Sequence, residues 1–139
     1  MANSTTIYSL ADGRRAVDVT ENKTLAITDQ GIVQVVKTDA ITITLPATVV
    51  GYNFTVRNGG EKVSEDGPVG AVHNNSVAVK VSPNASDLIA GGEIATAADD
   101  KDYINTKTTA IVGDEVTLVG NGTTGWNVLN QIGVWAREA

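Results

Sequence analysis

The stretch TDAITITLPATVVGYNFTVRN, residues 38–58, decides the fold. Ile41, Ile43 and Leu45 alternate with Thr42 and Thr44. After a break, Tyr52, Phe54 and Val56 alternate with Asn53, Thr55 and Arg57. A period of two, carried by β-branched and aromatic residues, is the pattern of strands with one face in the core and one in water. Pro46 has no amide proton to give a ladder, so the first strand ends there. Gly51 lets the chain bend before the second begins. The pair reads as strand, tight corner and strand, a hairpin on which later strands pack.

The same grammar extends in both directions. Upstream, AVDVT (16–20), TLAIT (24–28) and IVQVVK (32–37) are short alternating runs separated by Glu21-Asn22-Lys23 and Asp29-Gln30-Gly31, which are turn residues. Downstream, SVAVKVS (76–82) sets Val77, Val79 and Val81 against Ala78 and Lys80. Further candidates are Leu88-Ile89, the start of 103–109, 109–112, 115–119, 125–129 and 132–136. Gly120-Asn121-Gly122 between Val119 and Trp126 is a hairpin signal, because such turns need residues that tolerate positive φ. EIATAADDKD (93–102) alone has helical propensity, and a helix so short is marginal by itself, so it reads as a loop. About nine to eleven short strands with regular turn punctuation predict an all-β single domain, a β-sandwich, jelly roll or similar β-barrel-like fold. No repeat of fixed period is visible, which argues against a solenoid or propeller. Residues 1–15 are polar and weakly patterned, and read as an N-terminal arm ahead of a β domain spanning 16–139.

Composition bounds the function. A chain of 139 residues, 42% hydrophobic, fits one globular domain with a core that needs no staples. The net charge of −6 disfavours nucleic-acid and anionic-membrane partners, which require a basic patch, and Arg14-Arg15 is the one adjacent basic pair. The absence of Cys removes disulfides, thiol nucleophiles and cysteine metal sites. No run approaches the ~20 apolar residues of a membrane span. MANSTTIYSL lacks a basic region followed by an apolar run, so synthesis and release in a cytoplasm are expected. Asn-x-Ser/Thr sequences start at Asn3, Asn22, Asn53, Asn74, Asn84 and Asn121. Without a signal peptide they reflect a chain rich in Asn, Ser and Thr rather than glycan sites.

The residues that could carry chemistry form no convincing set. His73 is the single histidine and could serve as a general base, but no Gly-x-Ser-x-Gly accompanies it and it lies in the polar region 58–75. Zinc would need further ligands that a chain without Cys or a second His cannot easily supply. Asp99, Asp100 and Asp102 cluster around Lys101, but the calcium-loop pattern of spaced carboxylates, Gly and a distant Glu is missing, so a solvated acidic loop is the better reading. Gly120-x-Gly122-x-x-Gly125 matches a dinucleotide-loop spacing, yet it joins two strands and opens no helix. No catalytic residue, metal or cofactor is therefore assigned. Trp126 and Trp135 lie on the last strands, where core packing competes with a subunit-interface role, and Trp135 stands close to the C-terminus.

A series of segments follows in order: Ile41-Thr42-Ile43-Thr44-Leu45-Pro46-Ala47, Gly51-Tyr52-Asn53-Phe54-Thr55-Val56 and Val79-Lys80-Val81-Ser82-Pro83-Asn84. Asp87-Leu88-Ile89-Ala90-Gly91, Gly113-Asp114-Glu115-Val116-Thr117-Leu118-Val119, Gly125-Trp126-Asn127-Val128 and Gly133-Val134-Trp135-Ala136 complete it. In this order they resemble small bacteriophage virion proteins of the capsid decoration or head-fibre type. The resemblance covers residue 38 to the C-terminus. It implies a β-rich, non-catalytic structural protein, often trimeric, with no functional residue to carry over. The expected function is capsid decoration: a cement protein on the outside of the virion head, bound to the major capsid protein as a homotrimer and stabilising the shell. The alternative is a tail-fibre or baseplate accessory domain that binds a host-surface glycan. A small hydrolase using His73 or acidic residues is a third, weaker reading.

Overall fold

A computed structural model describes residues 3–61, 76–92 and 94–139. They form twelve strands: β1 Ile7–Ser9, β2 Arg15–Val19, β3 Lys23–Thr24, β4 Ile32–Val36, β5 Ile41–Thr44, β6 Asn53–Asn58, β7 Val79–Ser82, β8 Leu88–Ala90, β9 Tyr103–Asn105, β10 Glu115–Gly120, β11 Gly125–Ile132 and β12 Ala136–Arg137. One 3-10 turn, Ile27–Asp29, interrupts them. The expected all-β single domain is what the chain forms, as two packed sheets. The larger has seven strands in the order β1-β2-β4-β6-β10-β11-β8, and the smaller has five in the order β12-β9-β7-β5-β3.

The hairpin expected over 38–58 is not there. β5 belongs to the small sheet and β6 to the large one, so the two strands face each other across the core. A period of two specifies one buried face and is silent on whether the next strand lies beside or opposite. What decides is the connection. Residues 45–52 form an arch, with Pro46 and Thr48 in its span, rather than a two-residue turn. The arch is pinned to the turn between β10 and β11. Gly51 N donates to Gly120 O at 3.1 Å, Gly120 N to Tyr52 O at 2.7 Å, and Thr48 Oγ1 to Gly125 O at 2.5 Å.

This arch is one of a series. The chain passes from β2 to β3, β4 to β5 and β6 to β7, each time from the large sheet to the small. Neighbours within each sheet are consequently parallel: β2 with β4, β4 with β6, β3 with β5 and β5 with β7. The first half of the domain is thus a parallel coil of two layers. Its turns are unequal, since Arg15 aligns with Ile32 but Gln34 with Val56, which is why no fixed period is visible. The second half closes the stack with antiparallel strands: β10 on β6, β11 on β10, β9 on β7 and β12 on β9. The run expected as a strand at 109–112 is a turn, and 24–28 divides between β3 and the 3-10 turn.

The core lies between the sheets. Val19, Val36, Phe54, Val56, Val116, Leu118 and Trp126 of the large sheet meet Ile41, Ile43, Val79, Val81 and Tyr103 of the small one. Phe54 and Trp126 touch as a tilted pair with ring centroids 5.5 Å apart, and Tyr103 stacks on Trp135 at 5.8 Å. Such aromatic pairs add about 0.5–1.5 kcal/mol beyond the area they bury. A buried polar chain also ties the sheets together. Asn58 Nδ2 donates to Asn105 Oδ1 and to Val77 O, both at 2.7 Å, and Asn105 Nδ2 donates to Asp114 Oδ2 at 3.0 Å. Because each amide is matched, the network fixes the sheets' relative register without leaving an unpaired donor there.

The segment expected as an arm is docked on its own domain. β1 pairs antiparallel with β2, Ile7 opposite Val17. Asn3 Oδ1 accepts from Thr20 N at 2.7 Å and from Glu21 N at 3.0 Å, anchoring the start of the described chain.

Candidate functional site

The outer face of the large sheet carries a set of packed and paired side chains outside the main core. Ala16, Val33 and Val35 form a second small apolar cluster there, covered by Leu10. The β1–β2 connection folds over that cluster as a strap. Its end is fastened by Arg14, whose Nη1 and Nη2 donate to Glu115 Oε2 at 2.8 Å and Oε1 at 2.9 Å. Arg57 Nη1 reaches Glu115 Oε1 at 3.4 Å, and Arg14 Nε also binds Asp12 Oδ2 at 2.9 Å. The carboxylate hydrogen bond raises the pKa of Arg14, and the backbone N–H of Arg14 lowers that of Asp12. Tyr8 adds a latch by donating to Asp18 Oδ1 at 2.5 Å. Burial, and then this bond, push the phenol up to about 12. These groups are paired with one another across the strap.

Across the same sheet, β11 carries a bulge. Thr117 pairs with Asn130 and Leu118 with Val128, which leaves Leu129 as the extra residue. Bulges re-aim side chains, and Leu129 is 69% exposed. Ile132, opposite Glu115, is 50% exposed, and Val134 and Ile111 are 56% and 58% exposed. Asp114 organises the edge of this patch. Its Oδ2 accepts from Ile111 N at 2.9 Å, and its carboxyl lies against Gly133 so closely that any Cβ there would collide with it. Gly133 also has φ of +91°, a conformation that side chains resist. Exposed apolar residues are ordinary, and Ile27, Val49 and Val50 are exposed elsewhere on the domain; what these four share is a place on or beside the β10–β11 pair.

Trp126 and Trp135 are fully buried inside the chain, so neither ring stands at the surface for a second subunit to touch. The reason is local pairing. Trp126 lies opposite Gly120 on β10, turned toward the core, and Trp135 stacks under Tyr103 with its Nε1 donating to Ile132 O at 3.0 Å. The apolar residues beside them in sequence, Leu129, Ile132 and Val134, are the exposed ones. No local signal in the sequence separates the two sets, because a bulge and a turn switch the facing.

His73 lies outside the described residues. Asp99, Asp100 and Asp102 occupy a loop folded by main-chain bonds: Asp100 N donates to Asp87 O and Glu138 N to Asp102 O, both at 2.9 Å, while Asp102 N donates to the Glu138 carboxylate at 3.0 Å. Among the described residues no three His, Cys, Asp or Glu side chains gather as a metal site requires. No protein-family model, curated protein or solved structure matches this chain.

Proposed function

We propose that the protein is a non-catalytic virion component that binds the outside of an assembled bacteriophage head and stabilises it, acting as a homotrimer that bridges neighbouring coat subunits. The observation that supports this reading is the exposure of Ile111, Leu129, Ile132 and Val134 on or beside the β10–β11 pair, in a sandwich whose Asn58–Asn105–Asp114 network is satisfied. A surface of this kind gains free energy on burial, and contacts present only in the assembled shell would stabilise the shell by mass action. The order of β segments from residue 38 onward, with its likeness to decoration proteins, gives the reading its specific form.

The test uses heads that lack the protein. Added protein should bind them saturably and raise the temperature at which they release DNA. The double substitution Leu129→Asp with Ile132→Asp should abolish binding while circular dichroism and the unfolding midpoint of the free protein stay close to wild type. Heads that take up no protein, or that take up the double variant equally well, would remove this reading.

A further inference from the structure

The two sheets do not match in width. Taken along the stack, β2, β4, β6, β10 and β11 step with β3, β5, β7, β9 and β12, which leaves β1 and β8 of the large sheet without a counterpart. Beneath β1 this mismatch opens a cleft of about 400 Å³. Ile7, Val17 and Ile32 give it apolar lining, and Lys23, Thr28 and Asp29, together with residues 3–5, give it polar lining. Ile7 is cross-strand partner to Val17 and shares its inward face, yet Val17 is buried and Ile7 is 43% exposed. Ile7 therefore overhangs a space that a strand of the small sheet would fill. Beside that space runs β3, which pairs with β5 on one side and carries no strand on the other among the described residues. An uncovered edge next to an apolar pocket is how an extended segment is taken up as an added strand.

We propose that this cleft accepts one extended segment of a different protein, added as a sixth strand of the small sheet along β3, with an uncharged aliphatic side chain seated beneath Ile7. The electrostatics select the occupant. The Lys23 ammonium already donates to Gln34 Oε1 at 2.6 Å and lies 3.4 Å from Asp29, so the cleft presents a neutralised pair. A charged side chain entering it would lose hydration without gaining a partner. The whole chain carries a net charge of −6, which favours basic residues flanking the inserted segment. A second copy of this chain has the same net charge, and each described strand is already paired within its own sheets. This inference does not depend on the capsid reading.

The experiment is an NMR titration of the isotope-labelled full chain with an acetylated, amidated peptide, Lys-Lys-Thr-Val-Thr-Val-Thr-Lys-Lys. Saturable shifts are expected in the amides of Ile7, Lys23 and Thr24, with Kd at or below about 1 mM. Thr28 is exposed on the 3-10 turn, so Thr28→Trp fills the cleft without entering the core, and a dispersed spectrum verifies its fold. That variant should bind at least about tenfold more weakly. A peptide with Pro in place of both Val residues, lacking those N–H groups, should not bind. Absence of saturation at about 1 mM, equal binding by Thr28→Trp, or shifts confined to another surface would each overturn the proposal. Equal binding of a Glu-flanked peptide would overturn the assignment of a basic partner.

Discussion

The two tryptophans are alike in burial and differ in one hydrogen bond. Trp135 Nε1 donates to Ile132 O, whereas Trp126 Nε1 is buried with no acceptor among the described residues. An unsatisfied buried donor costs about 1–3 kcal/mol, so part of what Trp126 gains against Phe54 is spent on its own N–H. Replacing each by Phe removes similar volume but different polar chemistry. Trp135→Phe should be the more destabilising of the two, by about 1–3 kcal/mol in urea unfolding, because it also strands the carbonyl of Ile132. Equal losses would mean that the N–H of Trp126 finds a partner. Tyr8 carries a pH signature. Its phenol ordinarily titrates near 10.0 and is pushed up to about 12 in the fold, first by desolvation and then by Asp18. The folded state thus holds the proton more tightly than the unfolded chain. The stabilisation is complete below pH 10.0 and is lost as pH rises toward about 12. Melting curves across that window should fall more steeply for wild type than for Tyr8→Phe, and parallel curves would show that the latch contributes nothing.

Strands β5 and β6 show how far alternation carries. Both strands, their buried faces and their boundaries were legible: Ile41, Ile43, Phe54 and Val56 are all buried. Their relation was not, because hairpin and arch satisfy the same period. The two arrangements make opposite chemical predictions. In the coil, Thr42 lies beside Lys80 on a parallel neighbour. In a hairpin, Thr44 would approach Asn53. The chain has no Cys, so engineered pairs report cleanly. Thr42→Cys with Lys80→Cys should oxidise to a disulfide in the native state, since adjacent strands bring Cα atoms within bridging range, and Thr44→Cys with Asn53→Cys should not. The reverse result would restore the hairpin. The strap has the same lesson. Arg14 and Glu115 are 101 positions apart, and nothing local in either neighbourhood announces the pair. The Gly120-Asn121-Gly122 turn was legible for the contrary reason: its geometry is set within five residues, with Asn121 Oδ1 accepting from the amides of Thr123, Thr124 and Gly125. Chemistry closed within a turn can be read from sequence, and chemistry closed by the winding of the coil cannot.

At the scale of the whole molecule two forces compete. The net charge of −6 keeps copies apart, with a reach of about 8–10 Å at moderate salt, while burying the exposed Leu129, Ile132 and Val134 side chains would favour their contact. The isoelectric point of about 4.6 says where the first force vanishes. As pH falls from 7 toward that value, carboxylates take up protons, repulsion fades and the apolar attraction is left. Self-association followed by sedimentation should therefore strengthen on acidification, by about tenfold or more in association constant, which is about 1.4 kcal/mol. Salt at pH 7 should produce part of the same effect by screening, since burial of apolar surface is not weakened by it. The variant carrying Leu129→Asp and Ile132→Asp should respond far less to either change, because it lacks the attraction that the lost repulsion uncovers. If the variant associates on acidification as strongly as wild type, the sticky surface lies elsewhere on the domain, and the patch loses its claim to be the contact through which the protein assembles.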